Sequence, residues 1–370
     1  MATHNADNER IKRRYFVFLK EAKRQSEDSV DAVAKALARF ETATRYRDFN
    51  AFHFEQAVAF KKHLANQTSL TTGGKLSKAT LHSTLAHLKR FFQWLADKPG
   101  YKSRLQYSDA EYFNLSEKDT RVATARRQRT APTLEQIKHA IALMPCSTDI
   151  ELRDRALVAF TLLTGARDSA IASMKLKHVD LSVGSVFQDA RDVQTKFSKT
   201  FATDFFNVGA EVRQIFDDWV NYLRQEKLWG NDDPLFPATL VELGDARQFE
   251  AVALARKHWK TASPIRRIFR KAFESAALPY FNPHSFRNTL VQLGQSVCKD
   301  AEQFKSWSQN LGHEGVLTTF LSYGTVAPCR QRQIIQSLAV GPAQPQGQAD
   351  ALAQAFLQTI RGAGLLGGRN

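Results

Sequence analysis

The segment Asn282-Pro283-His284-Ser285-Phe286-Arg287 reads as a helix start, with Asn at the cap and Pro at the first helical position. His284 and Arg287, spaced i and i+3, then share one face near a helix N-terminus, where an anion is already favoured. Arg167 follows Thr164-Gly165-Ala166 at the end of an apolar stretch and precedes Ser169, a candidate cap for the next helix, so it projects from an interhelical turn. Leu311-Gly312-His313 repeats the device: a glycine for the turn, then a histidine. Tyr323 stands just before Gly324, and Thr195-Lys196-Phe197-Ser198-Lys199 offers two lysines. Phosphoryl transfer without a metal needs cations on the non-bridging oxygens, a nucleophile, and an acid for the leaving oxygen. This chain has a candidate for each role. Singly, each has a plainer reading: an incidental surface or core His-x-x-Arg, an arginine paired with a carboxylate, a tyrosine anchoring a segment end.

The totals agree with an anionic partner. Lys plus Arg number 52 against 37 Asp plus Glu, a formal net charge of +15, which favours a polyanion and makes nucleic acid the leading candidate. Cys146, Cys298 and Cys329 show no Cys-x-x-Cys spacing, so a reducing compartment is implied and a zinc or dithiol motif is not. The apolar run Ala156 to Ala166 is too short to span a bilayer, and the polar N-terminus lacks a signal-peptide core, so a cytoplasmic, nucleoid-associated protein is expected.

The elements that must position these residues fall in two blocks. Residues 12–113 read as helical, most clearly at Leu81, Leu85, Leu88, Phe92 and Leu95, whose spacing makes one helix face apolar. Lys78, His82, His87, Lys89 and Arg90 occupy its other faces, as a solvated surface or as one lying against phosphates. From Glu117 to Thr133 the periodicity stops, and Arg121, Arg126, Arg127 and Arg129 mark a basic linker, either a solvated hinge or a segment tracking a phosphate backbone. A capping box, Thr133 with Gln136, opens the second block. A buried helix over 149–164 ends at Gly165; 183–208 reads as short antiparallel strands; helices resume at 210–227, 264–277 and after Asn282. In the 264–277 helix, Ser263 is read as the cap and Pro264 as the first position. Its apolar face carries Ile265, Ile268, Phe269, Ala272, Phe273 and Ala276, and its other side Arg266, Arg267, Arg270 and Lys271. Arg256, Lys257, His258 and Lys260 extend that basic side, which suits DNA contact in or along a major groove. From Gly341 the chain is a low-complexity spacer, with a short helix expected at 349–361.

Thr-Gly-Ala-Arg at 164–167, Thr-Lys at 195–196, His-Ser-Phe-Arg at 284–287, Leu-Gly-His at 311–313 and Thr-Thr-Phe-Leu-Ser-Tyr at 318–323 appear in an order and approximate spacing that resemble the tyrosine recombinases, the phage-integrase superfamily. Leu-Ser-Lys-Ala-Thr-Leu at 76–81 and Phe-Phe-Gln-Trp-Leu at 91–95 resemble that family's helical core-binding domain. The resemblance implies a mainly α fold with a small antiparallel β-sheet: a helical, SAM-like core-binding domain at 1–115, a basic linker at 116–131, an α+β catalytic domain at 132–340, and a tail with a short helix at 341–370.

It further implies that Tyr323 attacks the scissile phosphate, that Arg167 and Arg287 clamp its non-bridging oxygens, and that Lys196, with Lys199 as the fallback, protonates the departing 5′-oxygen. His284 would act as base or acid and His313 would hydrogen-bond the phosphate. Three positions depart from the family's common pattern: Ala170 in place of an acid, Asn288 in place of a histidine, and an interval from His313 to Tyr323 one residue longer than usual. Double-stranded DNA is the implied partner, bound in a clamp of the two domains, with a homotetramer in synapsis joined through the tail and with DNA-bending accessory proteins. The apolar face of the tail helix could equally pack on its own chain. No cofactor, metal or membrane is implied. A nicking-closing topoisomerase and a catalytically inactive DNA-binding protein are the alternatives.

Overall fold

The computed structural model describes residues 4–69, 73–125, 130–243 and 248–313. Two compact units divide the chain, Met1–Arg126 and Arg127–Asn370.

The first unit is helical: α1 (Ala6–Val17), α2 (Glu27–Ala43), α3 (Phe54–Asn66), α4 (Lys78–Ala96) and α5 (Glu117–Thr124). Asn5 caps α1 by accepting the N–H groups of Asp7 and Asn8, and Ser77 caps α4 by accepting that of Thr80. The five apolar positions of α4 picked out by periodicity are all buried. Their neighbours are mostly aromatic: the Phe92 ring stacks on Phe52 at 3.8 Å and meets Phe40 edge-on at 5.2 Å. Helix does not run unbroken through this block. Arg45 and Tyr46 adopt positive φ after α2, and α4 stops ahead of Pro99 and Gly100, the latter at φ 85°.

The stretch from Glu117, which lacks apolar periodicity, nevertheless begins with a helix. Ser116 accepts the N–H of Asp119, two acids sit in the first turn, and Lys78 pairs with Asp119 at 2.9 Å, so α5 forms through its cap and charges with no buried residue of its own.

The second unit starts with α6 (Leu134–Ala142), whose capping box joins Thr133 and Gln136 in both directions. Its centre is α7 (Asp149–Thr164), buried continuously from Ala156 to Thr164, and α6, α9 (Ala210–Asn221) and α11 (Pro283–Val297) pack against it. After α8 (Asp168–Ser173) the chain forms an antiparallel sheet of β1 (Val179–Asp180), β2 (Ser185–Gln188) and β3 (Phe201–Asp204), with Val186 opposite Thr203 and Gln188 opposite Phe201. α9 (Ala210–Asn221) follows. A hairpin of β4 (Ala238–Leu243) and β5 (Phe249–Ala255) precedes α10 (Ser263–Ser275), α11 (Pro283–Val297) and α12 (Ala301–Asn310). Ser263 is the first residue of α10, one later than its reading as a cap, and Ala262 takes that place.

The strand reading of 183–208 holds, whereas β4 and β5 carry little strand signal. Their Ala and Glu residues have low β-propensity, and cross-strand pairs such as Thr239 with Leu254 and Leu243 with Phe249 form the hairpin even though Glu242 faces Glu250. Among the described residues, no helix is long and apolar enough to cross a membrane.

Replacing Phe92 by Ala removes the stacked centre of the first core. Urea denaturation should show a loss of about 3–5 kcal/mol, and a loss under about 1 kcal/mol would mean that this ring cluster is not what holds the unit together.

Candidate active site

Asn282 caps α11, its Oδ1 accepting the Ser285 N–H at 3.2 Å, and Pro283 supplies a pre-set φ in the first turn. One turn on, Arg287 is only 2% exposed. Its Nη1 donates to the Gly165 carbonyl at 2.6 Å, and its Nη2 donates to the Leu311 carbonyl at 2.5 Å and to His313 Nε2 at 2.9 Å. Nε has no partner among the described residues. A buried cation satisfied by carbonyls, with no carboxylate among these partners, is expensive to desolvate and is held by its charge-assisted hydrogen bonds. His284, by contrast, is exposed at the start of the helix. The two residues share the end of α11 but not the same depth.

Gly165 delivers its carbonyl because α7 ends there in the left-handed region, at φ 61°. A Cβ at this position would also lie 2.8 Å from Leu311 Cδ2 and 3.1 Å from Leu290 Cδ1. Arg167 then occupies the cap position of α8 itself. Ser169, read from sequence as that cap, lies within the helix, and its hydroxyl donates to the Gln194 carbonyl at 3.3 Å.

His313 is brought in by a turn fastened to β3. The Asn310 amide accepts the Asp204 N–H at 2.7 Å and donates to the Asp204 carbonyl at 2.8 Å, and Thr203 Oγ1 donates to the Asn310 carbonyl at 3.0 Å. Gly312, at φ 70°, lies against the Phe201 ring so closely that a Cβ would meet it at 2.7 Å. Because Arg287 can only donate, His313 Nε2 accepts, leaving the proton of the neutral ring on Nδ1. Burial, then the charges of Arg287, Arg167, His284 and Lys199, push the His313 imidazolium down to about 3. Four of the candidates therefore gather close enough around one imidazole to suppress its protonation.

Lys196 and Lys199 lie in the β2–β3 connection. Phe197 and Ser198 between them take left-handed conformations, at φ 62° and 50°. The Lys196 ammonium stands 4.8 Å over the ring of Phe197, which is 77% exposed, whereas Lys199 is half-buried and is the lysine whose charge bears on His313.

The wider basic residues divide into paired and open ones. Arg266 pairs with Asp168 at 2.8 Å, next to Arg167, and Arg256 pairs with Asp233. Arg270 reaches Glu274 at 3.7 Å and lies 4.4 Å over the Tyr280 ring. Arg267, Lys271, Lys257 and Lys260 are exposed, on and just before α10. In the first unit Lys78 pairs with Asp119 and Lys89 with Glu111, Arg121 meets Glu117 at 3.4 Å, His82 is half-buried and Arg90 is exposed. Tyr323, Arg126, Arg127, Arg129 and the expected tail helix lie outside the described residues. Two clefts, of about 460 and 300 Å³, are lined by none of Arg167, His284, Arg287 or His313, so this group of side chains does not open into either of them. Among the described residues no three His, Cys, Asp or Glu side chains are placed to hold a metal ion.

Sequence reading passed over Asn310 and Asp192. Asn310 fixes the histidine turn to β3, and Asp192 ties down the lysine connection. Neither has a motif of its own, although Asn310 directly precedes Leu-Gly-His.

With this geometry, the match to known proteins is specific. The model of the phage integrase family matches residues 130–323. The chain belongs to the phage integrase family. A tyrosine recombinase XerC of Lactobacillus delbrueckii subsp. bulgaricus is 24% identical over 256 residues, covering 68% of this chain and 73% of the relative. Among solved structures, a lambda integrase dimer bound to a COC' core site matches with TM-score 0.56 at 14% identity, covering 91% of this chain and 80% of that one. A lambda integrase tetramer bound to a Holliday junction matches with TM-score 0.52 at 15% identity, covering 84% and 78%. These likenesses confirm the integrase fold, a helical N-terminal part followed by a catalytic domain.

The buried histidine of this integrase-family chain has a thermodynamic signature. Unfolded, His313 takes up a proton near its ordinary 6.5; folded, it refuses one until about 3. Between these values the unfolded state binds more protons, so stability falls as pH drops through that window and is unaffected above it. Wild type should lose about 1–2 kcal/mol more than His313→Gln between pH 7 and pH 5, read from urea midpoints. Equal losses would show that the imidazole is not buried among cations.

Proposed function

We propose that this chain is a site-specific DNA recombinase that cuts and rejoins strands through a covalent 3′-phosphotyrosyl intermediate. The observation that carries the reading is the buried guanidinium of Arg287, which donates to His313 Nε2 at 2.9 Å, with Arg167 and Lys199 near enough for their charge to bear on the same ring. Such an excess of positive charge suits an anion that spreads charge over two oxygens. Family membership supports a DNA phosphate as that anion. Relatives whose structures hold DNA, as a dimer on a core site and a tetramer on a Holliday junction, support the reading of a homotetramer in synapsis.

In this mechanism Arg167 and Arg287 stabilise the charge that develops on the non-bridging oxygens, and neutral His313 donates a hydrogen bond to the phosphate through Nδ1. Tyr323 forms the new O–P bond as the bond to the 5′-oxygen breaks. A phenol with its ordinary pKa of about 10 is ionised to roughly one part in a thousand at neutral pH, so the nearby guanidinium charge or His284 as base must assist its attack. Lys196, or Lys199 in its place, gives its proton to the 5′-oxygen. One phosphate ester replaces another, so rejoining runs by the reverse steps with no nucleotide cofactor and no metal. Lys78, His82, Lys89, Arg90, Arg121, Arg126, Arg127 and Arg129 would track the backbone from the first unit and the linker. Arg256, Lys257, Lys260 and the basic side of α10 (Arg266, Arg267, Arg270 and Lys271) would do so from the second.

A nicked suicide duplex, built on the site that wild type footprints in DNA flanking the gene, tests this. Wild type should be trapped covalently, with or without chelator, Tyr323→Phe should not be trapped, and Arg167→Ala should be slower by about 10²–10³-fold. No trapped wild type on that site would leave only a DNA-binding protein, and plasmid relaxation without recombinant product would point to a topoisomerase.

A further inference from the structure

The β2–β3 connection bears two candidate acids but little of its own to hold them. Its tip is exposed, and Phe197 and Ser198 sit in a conformation that side chains with a Cβ rarely adopt, so the surroundings must fix it. Those surroundings begin at Asp192. One carboxylate oxygen accepts from Lys175 Nζ at 3.0 Å, and the other accepts from Lys177 Nζ at 2.8 Å and lies 3.6 Å from His178 Nε2. Lys175 and Lys177 belong to the segment after α8, itself tied down where the Leu176 and Lys177 N–H groups donate to the carbonyls of Asp233 and Asn231. Beyond Asp192, Val193 is buried, and the Gln194 N–H donates to Ser173 Oγ at 2.8 Å on the helix that begins after Arg167. Thr195 Oγ1 then donates to the Lys199 carbonyl at 2.7 Å, closing the turn.

We propose that Asp192 is a positioning residue for proton delivery: it clamps the root of the lysine turn, fixing where Lys196 and Lys199 stand relative to Arg167. This rests on the reading that a lysine of this turn protonates the 5′-oxygen. Asp232 supplies the control, because it meets the same two lysines, at 3.3 and 3.0 Å, yet lies outside the turn and is 78% exposed. Removing Asp232 perturbs the charges of Lys175 and Lys177 without touching the connection, whereas removing Asp192 loosens the root of the connection while Asp232 still partners both lysines.

The test uses the full chain and two suicide duplexes that differ in one atom, the bridging 5′-oxygen or a sulfur in its place. As the tyrosyl O–P bond forms, the oxygen must receive a proton, whereas the sulfur departs as a thiolate without one. Asp192→Asn should slow covalent trapping by about tenfold or more on the oxygen duplex and leave trapping on the sulfur duplex near wild type, with Asp232→Asn near wild type on both. Equal slowing on both duplexes, no slowing on either, or an Asp232→Asn chain that behaves like Asp192→Asn overturns the proposal. The chain with Lys196→Ala and Lys199→Ala together separates the two ideas. If it too is spared on sulfur while Asp192→Asn is not, the positioning role alone falls; if it shows no preference for sulfur, the acid reading falls and takes this proposal with it.

Discussion

One buried cation organises the second unit. Arg287 donates to Gly165, which is 122 residues away along the chain, and to the Leu311–His313 turn on the other side. A guanidinium withdrawn from water is tolerable only while strong hydrogen bonds, here those of both Nη atoms, offset its desolvation, so the end of α7, the start of α11 and the turn after α12 are held to one geometry. The left-handed ends at Gly165 and Gly312 follow from this arrangement. The first presents its carbonyl to the cation, and the second lets the chain pass the Phe201 ring without a Cβ in the way.

The same constraint sets the electrical character of the site. With Arg287 beneath it and Arg167, His284 and Lys199 near it, His313 remains a neutral group amid positive charge. A neutral imidazole there is both an acceptor for Arg287 and a donor toward whatever the cations attract, which an imidazolium is not. Anchoring of β3 by Asn310 places the lysine connection and the histidine turn on one support.

Away from this centre, several basic residues already have acidic partners, as in Lys78 with Asp119, Lys89 with Glu111, Arg256 with Asp233 and Arg266 with Asp168. Such pairs contribute about 0–1 kcal/mol when solvent reaches them. They are therefore cheap to exchange for phosphate, and they keep a chain of net charge +15 from repelling itself before it meets a polyanion.

The parts of this protein readable from sequence are those governed by neighbours within a turn or two of chain. The capping box at Thr133, the apolar face of α4 and the end of α7 at Gly165 all report local hydrogen bonds or periodic burial. They suffice for the helical blocks and their boundaries, whereas the grouping of Arg167, His284, Arg287 and His313 came from the order of motifs that resembles the phage-integrase family. Tertiary structure alone decided that Arg287 is buried while His284 is exposed, that Lys199 rather than Lys196 bears on His313, and that Asn310 fastens the histidine turn to β3. Each of these depends on which distant backbone groups arrive beside a side chain, and a one-dimensional pattern carries no record of that, because the hydrogen bonds that decide it join residues far apart in the chain.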